Sequence, residues 1–181
     1  MVMTKKTVLI TGGSKGIGQG TAKYCLDQGC RVVLLARNLQ TLEQTRQEFV
    51  DDGHIPDDIH IEAMDMADAE AIMERVPKIE MLQDGLFGLV NNAAFGMIKH
   101  VVDYTLDDME TMWQVNMRGP MLMIQACYPF LKQVGGSIVN VGSIADASYF
   151  ERYSLYGGSK AFLNSFSQHA GKEFGFEGVR I

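Results

Sequence analysis

The sequence predicts an α/β fold: a doubly wound parallel sheet with helices on both faces, in three layers. Three observations carry that expectation. Short apolar runs, many of them β-branched, alternate with helix-like segments along the whole chain. The first run ends in a glycine-rich turn that opens a helix. Polar residues of chemical interest fall at or just past the ends of successive runs, where ligands bind in open sheets of this kind.

Thr7-Val-Leu-Ile10 ends at glycines and reads as a buried strand. Gly16 to Gln28 follows as a helix, with Gly29 as its C-terminal stop. Arg31 to Ala36 is the second strand. Leu39 to about Val50 is a helix with Leu42, Thr45, Phe49 and Val50 roughly on one face. Asp51 to Asp58 is a polar surface loop. Ile59 to Ala63 alternates and leads, as a third strand, into Met64 and Asp65. A helix from residue 67 to about residue 76 stops near Pro77. Gly88-Leu-Val90 is a short fourth strand running into Asn91 and Asn92. Two helical stretches cover residues 105 to about 133, with a bend expected near Gly119-Pro120. Ser137 to Val141 is the fifth strand and residues 155 to about 174 a long helix; Gly178 to Ile181 begins a sixth strand. No repeat, low-complexity tract or linker divides the chain, so residues 1–181 read as one domain.

Composition sets further bounds. The 181 residues, 46% hydrophobic and 21% charged, suit a soluble domain that can bury a core without disulfides. A formal charge of -6 argues against general nucleic-acid binding, which needs a basic surface. Cys25, Cys30 and Cys127 contain no Cys-x-x-Cys pair and read as buried free thiols of a reducing compartment. Met1 to Lys6 resembles the start of a secretion signal, but the apolar run Val8 to Ile10 is too short for one. No stretch is long enough to span a membrane, and a cytoplasmic location is the default expectation. His54, His60, His100 and His169 lack metal-ligand spacing, so no metal site is expected. Met109, Met112, Met117, Met121 and Met123 around Trp113 read as core or interface packing.

The glycine turn is Thr11-Gly12-Gly13-Ser14-Lys15-Gly16-Ile17-Gly18. Glycines at a first strand–helix junction let backbone N–H groups approach a pyrophosphate at the helix N-terminus. The spacing differs from the G-x-G-x-x-G fingerprint. The second strand ends Ala36-Arg37-Asn38 with no carboxylate, and Lys15 adds a second cation. An acidic residue there would bind the ribose hydroxyl of NAD, whereas arginine accommodates the extra phosphate of NADP. NADP(H) is therefore the expected cofactor, with NAD(H) the alternative.

Ser143, Tyr156 and Lys160 form a second candidate group. Tyrosine and lysine four residues apart share a helix face, and a nearby cation favours an ionised phenol. Tyr128 and Lys132 have the same spacing but precede the fifth strand, so that pair reads as structural. Tyr156 and Lys160 follow the fifth strand on the crevice side.

Taken in order, these residues resemble the short-chain dehydrogenase/reductase family, in its single-domain, NADP(H)-preferring form with a Rossmann-type fold. Asp65-Met66 resembles the pair that contacts the adenine ring, and Asn91-Asn-Ala-Ala94 the family's element below the cofactor. Asn116, Ser143, Tyr156 and Lys160 fall in the order and approximate spacing of its catalytic tetrad. The resemblance implies that Gly12, Ser14, Lys15, Gly16, Ile17 and Gly18 bind cofactor, together with Arg37 and Asn38. It extends that role to Asp65, Met66, Asn92, Ala93 and Ala94, and to Tyr156 and Lys160 at the nicotinamide ribose. It implies an oxidoreductase that exchanges hydride between NADP(H) and a small carbonyl or alcohol, with Tyr156 as proton donor and acceptor. Ser143 would then orient the substrate oxygen, and Asn116 would support a water-linked proton path to Lys160, its alternative being a structural role at the helix bend. A homo-oligomer, dimer or tetramer, is expected through residues 116–133 and 155–174.

Two small departures are Ala94, where the family has glycine, and Gly158, where alanine is more usual. A larger one lies past Gly178 to Ile181, where the family continues into a nicotinamide loop, a substrate-covering region and a last strand. The fifth strand is then expected to have a free edge that favours association. Two classes of function follow: an active reductase or dehydrogenase, favoured by the complete tetrad, and a catalytically impaired nucleotide-binding or assembly protein, favoured by the short end.

Overall fold

The strand-forming runs are short and mainly apolar, with His60 and Glu62 giving the third its alternation. In the computed structural model, which describes residues 5–181, they form strands β1 (Thr7–Thr11), β2 (Arg31–Ala36), β3 (Ile59–Ala63), β4 (Gly88–Asn91) and β5 (Ser137–Asn140). Met1 to Thr4, and with them most of the signal-like start, lie outside the described residues. Pairing is parallel throughout, in the order β3-β2-β1-β4-β5. The chain winds outward from β1 through β2 and β3, then crosses to β4 and β5 on the other side. That reversal opens a crevice at the carboxyl ends of β1 and β4.

The helices are α1 (Gly16–Asp27), α2 (Leu39–Asp51), α3 (Ala69–Arg75), α4 (Leu106–Met112), α5 (Gly119–Val134) and α6 (Ser154–Gly175). Val8, Ile10, Val32 and Leu34 point to one face and pack with Ala22 and Leu26 of α1 and with Leu42 and Phe49 of α2. Leu9, Val33, Leu35 and Leu89 point to the other and pack with Ile72, Met123, Cys127 and Leu131. Sheets buried on both faces leave no polar position to alternate, which is why these runs read as continuously apolar. Each such Leu or Ile taken fully out of water contributes about 1.5–3 kcal/mol.

Helix boundaries follow capping chemistry. Asn38 caps α2 by accepting a hydrogen bond from the Thr41 N–H at 3.0 Å, and Asp68 caps α3 through Ala71 at 2.9 Å. The latter moves the start of α3 two residues past its expected place. The bend expected at Gly119-Pro120 is replaced by a wider π-helical turn, Trp113–Arg118, between α4 and α5. Pro120 has no N–H to give the carbonyl of Asn116 four residues earlier, so the ordinary helical ladder fails there.

Where a sixth strand was expected to begin, the structure has a single parallel bridge between Ser137 and Arg180, and Ile138 donates to the Arg180 carbonyl at 2.7 Å. The first residues of β5 are therefore covered, while Val139 on the same strand is 53% exposed. The methionines divide, with Met112 and Met123 fully buried and Met109 beside the half-exposed Trp113 at the surface. Only Cys127 is buried; Cys25 and Cys30 are half-buried, which corrects the expectation for those two. Both lie at the end of α1, where the side chains reach only the margin of the core. Among the described residues no helix is long and apolar enough to cross a membrane, and no cluster of three or more His, Cys, Asp or Glu is placed to hold a metal ion.

Candidate active site

The glycine loop is held from below by Thr11 and Asn92. The buried Thr11 hydroxyl accepts hydrogen bonds from the Asn92 and Ala93 N–H groups, each at 3.0 Å. The Asn92 amide donates to the carbonyls of Thr11 and Gly12 at 2.9 and 3.2 Å. Asn92 is thus a brace of the loop. Gly18 permits the loop to close on α1: a Cβ there would stand 2.2 Å from the Gly12 carbonyl oxygen. Thr45 of α2 ties the other side, donating to the Ser14 carbonyl at 3.0 Å.

A cleft of about 670 Å³ opens above this loop. Gly12, Ser14, Lys15 and Gly16 line it from β1, Arg37 and Asn38 from β2, and Asp65 and Met66 from beyond β3. Asn92, Ala93 and Ala94 close it from β4. Ile17 and Gly18 do not line it: Ile17 is exposed and Gly18 is buried beneath the loop. The side chain of Met66 is buried in the core, which leaves its backbone to the cleft. The remaining wall, Leu35, Thr41, Phe95, Thr111 and Val115 among others, was not singled out in the sequence. It consists of ordinary apolar and hydroxyl side chains that no spacing rule distinguishes.

The charge distribution fits an anionic ligand. No side chain caps the N-terminus of α1, and no acidic residue occupies its first turn. Lys15 and Arg37 are exposed, and among the described residues neither makes an ion pair. Free N–H groups, a helix dipole and two unpaired cations suit phosphate. Asp65 is exposed and accepts from the Ala67 N–H at 2.9 Å. The residues present therefore fit a dinucleotide phosphate.

The second candidate group lies where β5 meets α6. Lys160 is 3% exposed and donates to the Val141 carbonyl at 2.7 Å. Its burial pulls its pKa below the ordinary lysine value. The ammonium lies 5.9 Å from the centre of the half-buried Tyr156 ring. Ser143 accepts from the Ala145 N–H at 3.2 Å and so caps a single helical turn, Ile144–Asp146. That turn is seated on α6, because Gly157 brings its backbone within a methyl's width of the Ala145 carbonyl. Asp146 accepts from the Asn164 amide at 3.0 Å about two helical turns further along α6. Both flanks of Ser143 are thereby fixed to the helix that carries Tyr156 and Lys160.

Asn116 is 1% exposed, in the π-helical turn. Its amide oxygen accepts from the Phe95 N–H at 2.7 Å, and its amide nitrogen lies within bonding distance of the Phe95 carbonyl and Ser159 hydroxyl, at 2.9 and 3.0 Å. The side chain is committed to holding the segment after β4 against α6. Ser159, which donates to the Tyr156 carbonyl at 2.7 Å, was missed in the sequence; the buried Asn91, the first residue of the element below the cleft, donates to Asn140 at 2.8 Å. Arg152 sits in the left-handed region at φ 65°, and its carbonyl accepts from the Lys99 N–H and the Tyr104 hydroxyl. This joins the segment after β4 to the segment that leads into α6. Ala94 does not have positive φ, so its methyl carries no backbone strain.

Tyr128 and Lys132 are differently placed. Lys132 is ion-paired with Glu177, and the Tyr128 ring packs 4.8 Å from that of Phe174. None of Tyr128, Lys132, Ser143, Tyr156 and Lys160 lines the cleft, so the two pairs are separated by the burial of Lys160 and the surface ion pair of Lys132.

A parallel sheet of this order with a glycine loop at its first strand–helix junction is a Rossmann-type scaffold, and similarity to known proteins agrees. The family model for short chain dehydrogenase matches residues 6–181. The chain belongs to the short chain dehydrogenase family. It is 26% identical over 181 residues to an uncharacterized oxidoreductase of Staphylococcus aureus (strain MW2), covering 99% of this chain and 76% of that one. A short-chain dehydrogenase from Streptomyces avermitilis superposes with a TM-score of 0.89 at 25% identity, covering 99% of this chain and 64% of the other. A metagenomic short-chain oxidoreductase solved in complex with NADP gives a TM-score of 0.89 at 27% identity, over 97% and 79% of the two chains.

Proposed function

We propose that this chain exchanges hydride between NADP(H) and a small carbonyl or secondary-alcohol substrate. The observation that carries the reading is the double anchoring of Ser143. Val141 is held by Lys160 and Ala145 is seated at Gly157, so hydroxyl, phenol and ammonium share one rigid junction.

When bound, NADP(H) supplies or accepts the hydride. Gly12, Ser14 and the open first turn of α1 bind its pyrophosphate, and Lys15 and Arg37 the extra phosphate. In the reducing direction Tyr156 gives its phenolic proton to the carbonyl oxygen as negative charge develops there. Lys160 balances the charge that the phenol acquires and would hold the nicotinamide ribose hydroxyls when the cofactor is bound. Ser143 donates to the same substrate oxygen and fixes its position. Asn116 positions the wall after β4 through Phe95. The exposed Met109 and Trp113 near α6 support a homo-oligomer formed across this helix surface.

The test is NADPH oxidation with a panel of ketones, aldehydes and 3-oxoacyl thioesters, with NADPH affinity followed separately by fluorescence. Tyr156→Phe is expected to keep NADPH binding and to lose turnover by at least about 100-fold. Near-normal turnover in that variant, where chemistry limits the rate, would remove Tyr156 from the role of acid. Binding without turnover across the panel in the unsubstituted chain would favour a nucleotide-binding or assembly protein.

A further inference from the structure

Two half-buried thiols, Cys25 and Cys30, take no part in the chemistry above, and the end of α1 brings them together. The Gly29 N–H bonds the Leu26 carbonyl at 2.9 Å and the Cys30 N–H bonds the Cys25 carbonyl at 3.0 Å, with Gly29 at φ 76°. This pair of bonds is a Schellman closure, in which the residue past the glycine folds back onto the residue five positions before it. A carbonyl and an N–H joined at 3.0 Å hold their two α-carbons within about 7 Å by standard bond lengths, close to the upper span of a disulfide. Both side chains pack against the cluster that contains Ala22 and Leu26. Burial, and then charge on the neighbouring Cys30, push the Cys25 thiol above its ordinary pKa.

We propose that Cys25 and Cys30 form a dithiol site that small-molecule disulfides such as glutathione disulfide oxidise to an internal disulfide. The Cys30 thiolate attacks one sulfur of glutathione disulfide, breaks its S–S bond and releases one glutathione thiolate. Cys25 then loses its proton, attacks the Cys30 sulfur of the mixed disulfide and releases the second glutathione. Two protein thiols are oxidised, one glutathione disulfide is reduced to two glutathiones, and the two protons end on the released thiolates. Cys25 is the resolving thiol because its raised pKa leaves less thiolate for the first attack. The bridge closes the end of α1 opposite the glycine loop. Cys127, fully buried and with its thiol pushed far up by that burial, is an internal control.

Lys23 and Arg31 are trypsin sites, so Tyr24 to Arg31 is one peptide holding both cysteines. The folded chain is treated with glutathione disulfide, denatured, alkylated and digested without reduction. The expected peptide is about 2 Da lighter than its dithiol form and carries no alkyl group or glutathione. Cys127 stays reduced and is alkylated. In Cys25→Ser a stable glutathione adduct on Cys30 is expected, and in Cys30→Ser a slower one on Cys25. Two alkylated thiols in the unsubstituted peptide, a persistent glutathione adduct on it, or a disulfide-linked dimer would overturn the proposal. Because so short a ring also closes in a random chain, the closure equilibrium is measured in urea as well. A value at least about ten-fold larger in the folded chain is expected; an equal or smaller value overturns the proposal.

Discussion

Gly157 and Gly158 are adjacent on α6, yet alanine at the two positions should act with opposite sign. At Gly157 an added Cβ would stand 2.6 Å from the carbonyl oxygen of Ala145, whereas ordinary contact begins at 3.4 Å. The turn Ile144–Asp146 must then retreat by about 0.8 Å, and overpacking of that kind costs about 1–3 kcal/mol. Alanine's better helix propensity returns about 1 kcal/mol, leaving a net loss of up to about 2 kcal/mol. For a domain of this size that lowers Tm by up to roughly 8 °C. At Gly158 nothing lies within 4 Å of the added methyl, so only the propensity term acts and Tm should rise by roughly 1–4 °C. The functional effects separate as well. The Ala145 N–H bonds Ser143, so a displaced Ala145 carries the serine away from Tyr156. A misplacement near 1 Å costs on the order of 100-fold in rate. Gly157→Ala is therefore expected to lose about 10- to 100-fold in turnover with NADPH affinity unchanged, and Gly158→Ala to keep both. Thermal unfolding followed by circular dichroism, beside the NADPH assays, reads all of these. If Gly157→Ala were as stable as Gly158→Ala, the seat of the Ser143 turn on α6 would be refuted whatever the activities.

The other expectations concern charge. Arg37→Ala should weaken NADPH about 10- to 100-fold, the loss of one charge-assisted bond, and leave NADH affinity unchanged; equal weakening of both cofactors in titrations would count against a phosphate contact. Lys160→Met should abolish turnover and alter the pH dependence of stability. Burial lowers the folded-state pKa of Lys160, so the unfolded chain binds more protons between that value and the unfolded value of 10.5. Within that window the stability of the unsubstituted chain relative to Lys160→Met should rise with pH, and below it the difference should be flat. Urea unfolding at a series of alkaline pH values measures this, and a difference that falls with pH would contradict a buried lysine.

The sheet and the crevice were legible because they depend on short-range patterns. Continuous apolar runs fix strands buried on both faces, and a polar residue directly after such a run has nowhere to lie except at the carboxyl edge. Gly12, Arg37, Asp65 and Asn92 were found that way. What escaped depends on contacts between distant segments. Thr11 looks like the last residue of a strand, and only the approach of β4 makes its hydroxyl the joint that holds Asn92 and Ala93. Ser159 looks like a small residue inside a helix until the π-helical turn brings Asn116 against it. The π-helical turn itself had a local sign, Pro120 four residues after Asn116, which marks a broken ladder but does not tell a bend from a widened turn. The misjudged burial of Cys25 and Cys30 has a similar origin. Cysteine is often buried, but the cap of α1 turns these two toward the margin of the core.

The two Tyr–Lys pairs show what decides between a helical spacing and a chemical group. Both have the same four-residue separation, and in both the lysine finds a partner. The Lys132 partner is the exposed carboxylate of Glu177, a group that neutralises the ammonium and keeps it at the surface. Lys160 instead meets a neutral carbonyl in the interior, which orients the ammonium without cancelling its charge. A buried cation with no carboxylate beside it is destabilising unless something else gains from its field. At this position the nearby group able to gain is the Tyr156 phenol, whose ring centre lies 5.9 Å from the ammonium. The cost of burying Lys160 is thus itself an argument that the fold retains it for the proposed proton transfer.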